Sequence, residues 1–271
     1  MHRPTTQEQP ELKTLAEIRL MRESGKLVFD ALQICREMAQ PGVKTIEIDR
    51  AVEAFFASKG AIPLFKGYNP GDQPYPACTC LSINEQVVHG IPGGRELREG
   101  DLLKVDTACR LNGWCADSAV TLPIGQVRAE RLRLLRVAQE TLQIAITEMP
   151  RRRWWSEIGA KMQKHVQSAG FSVVEQYVGH GIGRTMHELP QVPNFTSREM
   201  KTKHDFRLVP GLVLAVEPMV NMGRVDVDTL GDHWTVVTRD GLPSVHVEHT
   251  LALTDKGVVV ITADSSIDVF A

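Results

Sequence analysis

The chain has 271 residues, 42% of them hydrophobic, so it is long enough for one large α/β domain or two small ones. Its formal net charge is −2 and its isoelectric point is about 6.5, so overall charge favours neither nucleic acid nor an anionic membrane as a partner. The first fourteen residues are polar, and no stretch approaches the roughly 18 consecutive apolar residues of a membrane-spanning helix, which excludes a secretory signal and predicts a cytoplasmic protein.

The chain is predicted to begin with a flexible tail, residues 1–13, followed by two helices that pack on the core. Thr14 starts a capping-box sequence, so the first helix should begin there, and Pro41 should end it. Thr45 is a candidate cap for the second helix, which Gly60 closes. Each segment carries apolar residues at helical spacing, so each should bury one face.

A loop and three strands should follow. Residues 61–76 are dense in proline, glycine and aromatic residues, which is typical of a loop that can wall a pocket. Strands are expected at 78–83, 102–111 and 114–122, and Asn112-Gly113 between the last two is a strong hairpin signal. The five cysteines are scattered and form no CxxC pair, so they should be reduced and buried rather than parts of a zinc or disulfide framework.

The second half repeats the order of helices and then strands. A helix is predicted from Ala129 to Met149, with an apolar stripe that starts at Leu132, and another for which Ser156 is a candidate cap and which ends at Gly170. Strands are predicted at 171–177, 212–217, 234–238, 245–253 and 258–262. This order suggests an α+β protein with two similar halves, about 14–125 and 126–271, although no sequence repeat is visible.

Two aspartates on the predicted hairpin should lie close together. If Asn112-Gly113 is a two-residue turn, residue 106 lies opposite 119 and residue 108 opposite 117, so Asp106 and Asp117 are diagonal neighbours on one face, about 7–8 Å apart at the backbone. Their neighbours are apolar, which predicts a largely buried strand pair. Unpartnered carboxylates there would cost several kcal/mol each, so both need partners.

Glu217 and Glu248 also occur inside apolar strand sequences. A solvated strand face, a buried ion pair and a shared proton are the structural alternatives for such acids. Together with Asp106 and Asp117, they offer four negative charges that two divalent cations would balance, as in a two-metal hydrolytic site. Oxygen-rich ligation with one imidazole suits manganese, iron, cobalt or zinc.

The sequence from Tyr177 to Pro190 is predicted to be an irregular loop that presents two histidines. Gly179, Gly181 and Gly183, together with the proline, exclude a regular helix. His180 and His187 should therefore face a common partner, which we expect to be the acids on the sheet.

Several segments, in order along the chain, resemble those of type I methionine aminopeptidases. They are Ser82-Ile83-Asn84-Glu85, His89-Gly90-Ile91-Pro92, Val105-Asp106 with Asp117, Gly179-His180-Gly181-Ile182-Gly183, His187-Glu188 with Pro190, Val216-Glu217-Pro218-Met219-Val220, and Glu248-His249-Thr250. The resemblance extends from about Thr14 to the carboxyl terminus. It implies the pita-bread (creatinase/aminopeptidase) fold, with two pseudo-symmetric α/β halves around a curved antiparallel sheet and a single catalytic domain over 14–271.

The resemblance also implies roles for particular side chains. Asp106 would chelate one of two divalent metal ions, His180 and Glu217 would bind the other, and Asp117 and Glu248 would bridge both. His89 and His187 would contact the substrate peptide group, and Glu217 would shuttle a proton from the bridging water that attacks the scissile carbonyl. For a lone histidine, a hydrogen-bonded core position is the structural alternative.

The family removes the initiator methionine from peptides and nascent chains whose second residue is small. By position, the methionine slot would be formed by Phe65, Tyr68, Tyr75, Cys80, Met186 and Trp234. Phe65 stands where the family commonly has cysteine, Met186 stands where it commonly has phenylalanine, and the loop at 71–73 is longer. We expect a monomer that acts on peptide N-termini, cleaving Met-Ala but not Leu-Ala peptides.

Other functions are less consistent with the sequence. Gln191 and Pro190 break an HExxH zinc motif, and Met186 stands at the last glycine of a GxGxxG pattern. An aminopeptidase P or prolidase of the same fold, and a non-catalytic peptide-binding module, remain as alternatives. The run 151–155, Arg-Arg-Arg-Trp-Trp, fits either transient contact with the ribosome or a solvated turn between helices, and the turn is favoured.

Overall fold

The computed structural model describes residues 9–71 and 73–270. The α-helices are α1 (Leu15–Met38), α2 (Thr45–Ser58), α3 (Ala129–Glu148) and α4 (Trp155–Ser168). The strands are β1 (Ile62–Pro63), β2 (Thr79–Ile83), β3 (Leu102–Leu111), β4 (Trp114–Pro123), β5 (Ser172–Val173), β6 (Gly179–Gly181), β7 (Glu188–Val192), β8 (Val213–Val216), β9 (Met219–Asn221), β10 (Val227–Thr229), β11 (Val236–Thr238), β12 (Ser244–His246), β13 (His249–Thr254) and β14 (Gly257–Val260).

The helix starts show which predicted caps form. The Thr14 hydroxyl accepts from the backbone of Glu17 at 3.3 Å, and the Glu17 carboxylate accepts from the backbone of Thr14 at 2.9 Å, which confirms the capping box. Thr45 is the first residue of α2 rather than its cap, because its hydroxyl is engaged with the backbone of Gly93. Ser156 likewise lies inside α4 and binds the Asp205 carboxylate. The predicted caps at Thr45 and Ser156 were therefore wrong.

The hairpin of β3 and β4 has the predicted register. Asp106 lies opposite Ala119, and Asp117 lies opposite Ala108. Asn112 and Gly113 both have positive φ, 52° and 82°, as a tight two-residue turn of this hairpin type requires. The two aspartates are therefore diagonal neighbours on one face of the pair, as the sequence predicts.

Antiparallel pairing builds a four-stranded sheet, in which β3 pairs with β4 along one edge and with both β1 and β2 along the other. A five-stranded sheet has the order β14-β13-β8-β6-β7. The smaller sheets are β12-β9-β5 and β10-β11. The predicted strand 245–253 is split into β12 and β13, because the chain changes partner there from β9 to β8. Strand β1 was missed within the predicted loop, and β5 is shorter than predicted because its pairing with β9 ends after Val173.

The two large sheets meet where β4 lies beside β13. The backbone of Asp117 donates to the Thr250 hydroxyl at 3.1 Å, and that hydroxyl donates back to the Asp117 carbonyl at 2.7 Å. Ser118 donates to the Glu248 carbonyl at 2.6 Å, and the Glu248 backbone donates to the Ala119 carbonyl at 2.8 Å. These bonds fix Asp117 and Glu248 side by side.

The buried side chains form two large clusters. One joins α1 and α2 to β2, β3 and β4, and the other joins α3 and α4 to β8, β9, β12 and β13. All five cysteines are buried and free, as predicted. On α3, Leu132 is exposed, so the buried stripe begins at Leu134 rather than at Leu132. Among the described residues, no helix combines the length and apolar character needed to cross a membrane.

The predicted tail is described only in part. Residues 1–8 lie outside the described residues, and so does Asp72 in the loop at 71–73. At the other end of the predicted tail, Lys13 is buried and its backbone donates to the Gly211 carbonyl.

Candidate metal centre

Four acids, each on a strand or directly beside one, lie close together in the structure. Asp106 lies on β3, Asp117 on β4, Glu217 directly after β8, and Glu248 between β12 and β13. Asp117 and Glu248 are only 4% and 2% exposed, so the solvated-face alternative fails for both. All four acids line one cavity of about 1090 Å³. The sequence shows that each acid lies within or beside an apolar strand, but only the pairing of the strands brings the four acids together.

His180 lies on a strand rather than on the predicted irregular loop. It belongs to β6, which pairs with β7 on one side and with β8 on the other. A side chain at Gly179 would overlap the Ala215 carbonyl, and one at Gly181 would overlap the Leu189 carbonyl. The glycines are therefore required for close approach of three strands, which delivers His180 to the acids. His187 lies outside β6, just before β7.

The His180 imidazole is oriented toward the acids. Its Nδ1 lies 2.9 Å from the Gly181 carbonyl, so Nδ1 carries the hydrogen and Nε2 keeps its lone pair. Nε2 lies 3.7 Å from Glu217 Oε1 and 4.0 Å from Asp117 Oδ2. Ligand atoms of Asp117, His180 and Glu248 all lie within 4.8 Å of one another. A neutral imidazole held in this way is a nitrogen ligand aimed at a carboxylate cluster.

Burial and mutual repulsion disfavour the ionised forms of the four acids. Burial raises the pKa of Asp117 to about 7. Burial and the neighbouring carboxylates also raise the pKa values of Asp106, Glu217 and Glu248 well above their ordinary range. Burial lowers the pKa of His180 to about 4, so its ring is neutral at pH 7. A nearby positive charge would reverse the effect on the acids.

The donor set fits divalent cations. Oδ1 of Asp106, Oδ1 of Asp117 and Oε1 of Glu248 are buried and have no hydrogen-bond partner in the described structure. Such orphaned acceptors are costly unless a cation or donor satisfies them. Four carboxylates and one imidazole nitrogen make an oxygen-rich set with one nitrogen, which suits manganese, iron, cobalt or zinc.

His89 and His187 line the same cavity. His187 Nδ1 lies 3.0 Å from the Tyr68 hydroxyl, and its ring packs edge-on against His180, with centroids 4.4 Å apart. His89 has a positive φ of 59°, which is uncommon for a residue with a side chain. Its ring contacts Tyr177 and Trp234 edge-on at 5.5 and 6.4 Å. Burial lowers the pKa of His89 to about 4 and also lowers that of His187, so both rings are neutral at pH 7.

The six predicted pocket residues pack together in one part of the cavity wall. They are Phe65, Tyr68, Tyr75, Cys80, Met186 and Trp234. The Tyr75 ring is edge-on to both Phe65 and Trp234, with centroids 6.5 and 5.1 Å away. The Tyr75 hydroxyl donates to the Gly90 carbonyl at 2.9 Å, so the ring is fixed within the wall. This wall is apolar and close to the acids.

Sequence reasoning missed His246 and Tyr177. His246 is 2% exposed, and its Nε2 lies 3.8 Å from Glu217 Oε2 and 4.0 Å from Glu248 Oε2. The alternation of Val245, His246, Val247 and Glu248 could have indicated that the histidine and the glutamate face the same side. The position of Tyr177 against His89 had no sequence signal, since it depends on the packing of two distant loops.

A second cluster of ligand-type side chains has a structural explanation. Ligand atoms of Asp49, Glu53 and Cys78 lie within 4.8 Å of one another. Asp49 Oδ1 already accepts from the backbones of Cys78 and Thr79 at 3.0 and 2.9 Å, which ties α2 to β2. Glu53 is paired with Lys66.

The run 151–155 is partly core. Trp155 is buried and stacks on Phe206 with centroids 5.7 Å apart, and its Nε1 donates to the Pro193 carbonyl at 2.8 Å. Arg152 pairs with Glu148 at 2.6 Å. Arg151, Arg153 and Trp154 remain on the surface.

Comparisons with known proteins place these features in a family context. The model of metallopeptidase family M24 matches residues 19–255. Methionine aminopeptidase 1 of Bacillus subtilis is 42% identical over 250 residues, covering 92% of this chain and 98% of that protein. The methionine aminopeptidase of Escherichia coli K12 is 38% identical over 253 residues, covering 93% of each.

Solved structures agree with these matches. The methionine aminopeptidase of Thermotoga maritima has a TM-score of 0.88 at 36% identity, and the match covers 94% of this chain and 99% of that one. A prolidase from Pyrococcus horikoshii has a TM-score of 0.74 at 18% identity and shares the fold, but this chain spans only 63% of its length. The predicted pita-bread fold is therefore confirmed.

Proposed function

The chain belongs to metallopeptidase family M24, and we propose that it removes the N-terminal methionine from peptides and newly made proteins whose second residue is small. One observation carries the proposal: five ligand-type side chains, all buried or half-buried, lie in the same cavity as a wall of aromatic and sulfur-containing residues. A hydrolytic centre and a slot for a thioether side chain are thus adjacent.

Five side chains would hold two divalent ions, cobalt, manganese, iron or zinc. Asp106, Asp117, His180, Glu217 and Glu248 would each supply ligand atoms to these ions. When bound, such ions supply a Lewis acid for the peptide carbonyl and a water of lowered pKa. The unpartnered oxygens of Asp106, Asp117 and Glu248 support the assignment.

Glu217 is proposed to move the proton. In the metal-free protein, burial and the charge of Asp117 raise the pKa of its carboxyl group, and bound cations would lower that pKa again, which leaves the carboxylate form available to accept a proton. It lies at the cavity beside His180. From there it can accept a proton from the attacking water and pass it to the departing amine of the shortened peptide.

His187 and His89 are proposed to bind the substrate peptide group. When the Tyr68 hydroxyl donates to His187 Nδ1, the ring hydrogen resides on Nε2. The neutral ring can then donate a hydrogen bond to the carbonyl oxygen as negative charge develops there. His89, held between Tyr177 and Trp234, would contact the same group and assist departure of the amine.

The slot is proposed to select methionine. Thioether contacts with aromatic rings contribute about 0.3–1.5 kcal/mol, and Phe65, Tyr75 and Trp234 line the cavity where such contacts can form. Met186 and Cys80 add polarisable surface to the same wall. A β-branched or shorter side chain would leave part of this wall without contacts.

We also propose a monomeric, cytoplasmic protein, with 14–125 and 126–271 as pseudo-symmetric halves. The two buried clusters support such a division.

Arg151, Arg153 and Trp154 offer a surface for transient ribosome contact. Loss of ribosome co-sedimentation in an Arg151→Glu/Arg153→Glu variant would support that contact, and unchanged sedimentation would exclude it.

The activity is tested with a peptide panel. The chelated protein is reconstituted with each of the four metals and assayed on Met-Ala-Ser, Leu-Ala-Ser, Met-Pro-Ser and Ala-Pro-Ser. We expect metal-dependent release of methionine, with Leu-Ala-Ser not cleaved. Preference for the Ala-Pro peptide would instead indicate a prolidase or aminopeptidase P activity. Binding of all four without cleavage would indicate a peptide-binding module.

A further inference from the structure

The segment 9–13 is built into the rim of the cavity. The Lys13 side chain is 2% exposed, and its ammonium pairs with the Glu188 carboxylate. The same ammonium donates to the Glu11 carbonyl at 3.0 Å, and the Lys13 backbone donates to the Gly211 carbonyl at 2.8 Å. Gln9 and Glu11 line the cavity itself.

Two glycines shape a slot for this lysine. A side chain at Gly183 would overlap Lys13 Cε and would lie 2.7 Å from Glu188 Oε1. One at Gly211 would lie 3.0 Å from the Lys13 carbonyl, and Gly211 also has a φ of +97°. The Lys13 side chain thus packs directly against the backbone of Gly183, and the Lys13 backbone packs closely against Gly211. The ion pair of Lys13 with Glu188 is buried and closely packed, unlike an exposed ion pair, which contributes little to stability.

Glu188 links Lys13 to the loop that presents His187. Its Oε1 accepts from the backbone of Arg184 at 2.8 Å and from that of Thr185 at 3.2 Å, while Oε2 pairs with Lys13. The carboxylate therefore closes the turn 183–188. His187 is adjacent to Glu188, and its ring rests against His180. Any movement of Glu188 would move His187 relative to the acids.

We propose that Lys13 is a positioning residue: through Glu188 it fixes the turn 183–188, so that the His187 imidazole is held at the scissile peptide. This inference rests on the proposed function for the role of His187, but the contacts themselves do not. Without the ammonium, the Glu188 carboxylate loses its buried counter-charge and turns toward water. The turn then loosens, and misplacement of a catalytic group by about 1 Å can cost about a hundredfold in rate.

Lys13→Met tests the proposal, since methionine keeps the apolar stem and removes the charge. On Met-Ala-Ser, we expect kcat to fall about ten- to a hundredfold while KM stays within about threefold, because an interaction realised in the transition state is lost. In the metal-free protein, the amides of Arg184 and Thr185 should exchange with solvent faster. Lys26→Met is the matched control, because within the described residues Lys26 makes only an exposed pair with Glu23, at 3.0 Å.

A double variant distinguishes this route from general destabilisation. Glu188→Gln should show the same faster exchange, and Lys13→Met/Glu188→Gln should lose no more activity than the worse single variant, because the two residues act as a unit. Wild-type kcat in Lys13→Met, or a lower kcat with unchanged exchange, would overturn the proposal. If the wild-type protein released no methionine, the proposed function would fail, while the exchange data would still decide whether Lys13 fixes the turn.

Discussion

Removal of the metal should make the stability of this protein fall as pH rises. In the folded protein, burial raises the pKa of Asp117 from 3.8 to about 7, and the pKa values of its three acidic neighbours are raised as well. A raised folded-state pKa means that the folded protein binds the proton more tightly than the unfolded chain does. The stabilisation is complete below the unfolded pKa and is lost as pH rises through the folded one.

The size of the effect follows from Asp117 alone. Its shift corresponds to a loss on the order of 4 kcal/mol between about pH 4 and pH 7, since one pKa unit is about 1.4 kcal/mol. For a chain of this size, each kcal/mol moves Tm by roughly 2–4 °C. We therefore expect the Tm of the chelated protein to fall by several degrees from pH 5 to pH 7.5.

The assay is thermal unfolding followed by circular dichroism at several pH values, with and without chelator. Metal should restore Tm, and more strongly at pH 7.5 than at pH 5, because the ionised acids then bind the cations. Asp117→Asn should reduce the slope of the chelated protein, whereas Asp255→Asn, at an exposed acid, should not. A Tm that rises or stays level with pH in the chelated protein would refute the electrostatic reasoning.

Three further substitutions give distinct outcomes. Glu217→Gln should lower kcat on Met-Ala-Ser by about 10²–10⁴-fold, as expected for a proton-transfer group, and should also lower the metal content. If kcat and metal content both stay near their wild-type values, Glu217 neither transfers the proton nor binds metal. Met186→Ala should raise KM for methionine peptides several-fold by opening the slot, while Leu132→Ala, on the exposed side of α3, should leave KM unchanged. Gly181→Ala should destabilise the fold by about 1–3 kcal/mol in chemical unfolding, because its side chain would overlap the Leu189 carbonyl; unchanged stability would show that β6 and β7 can separate without cost.

Local sequence patterns predicted the hairpin well. The turn residues Asn112-Gly113 fix the register, and the register fixes the relation of Asp106 to Asp117. The capping box at Thr14 was equally local. These features follow from interactions among residues close together in sequence, which a single chain displays directly.

Features that depend on distant contacts were predicted less well. His180 lies on a strand because β7 and β8 pair with it from both sides, and only the assembled sheet shows this. The break between β12 and β13 at Glu248 has the same cause, a change of partner strand. Lys13 was predicted to belong to the tail because its contacts are with Gly183 and Gly211, which are far away in sequence and give no local signal.

The most direct test of the account is a metal titration of the chelated protein with simultaneous measurement of bound metal and methionine release. We predict that activity on Met-Ala-Ser returns only as metal binds, that up to two ions bind per chain, and that Asp106→Asn and Glu217→Gln bind less. Activity that persists in the chelated protein, unchanged metal content in both variants, or equal turnover of Met-Ala-Ser and Leu-Ala-Ser would contradict it.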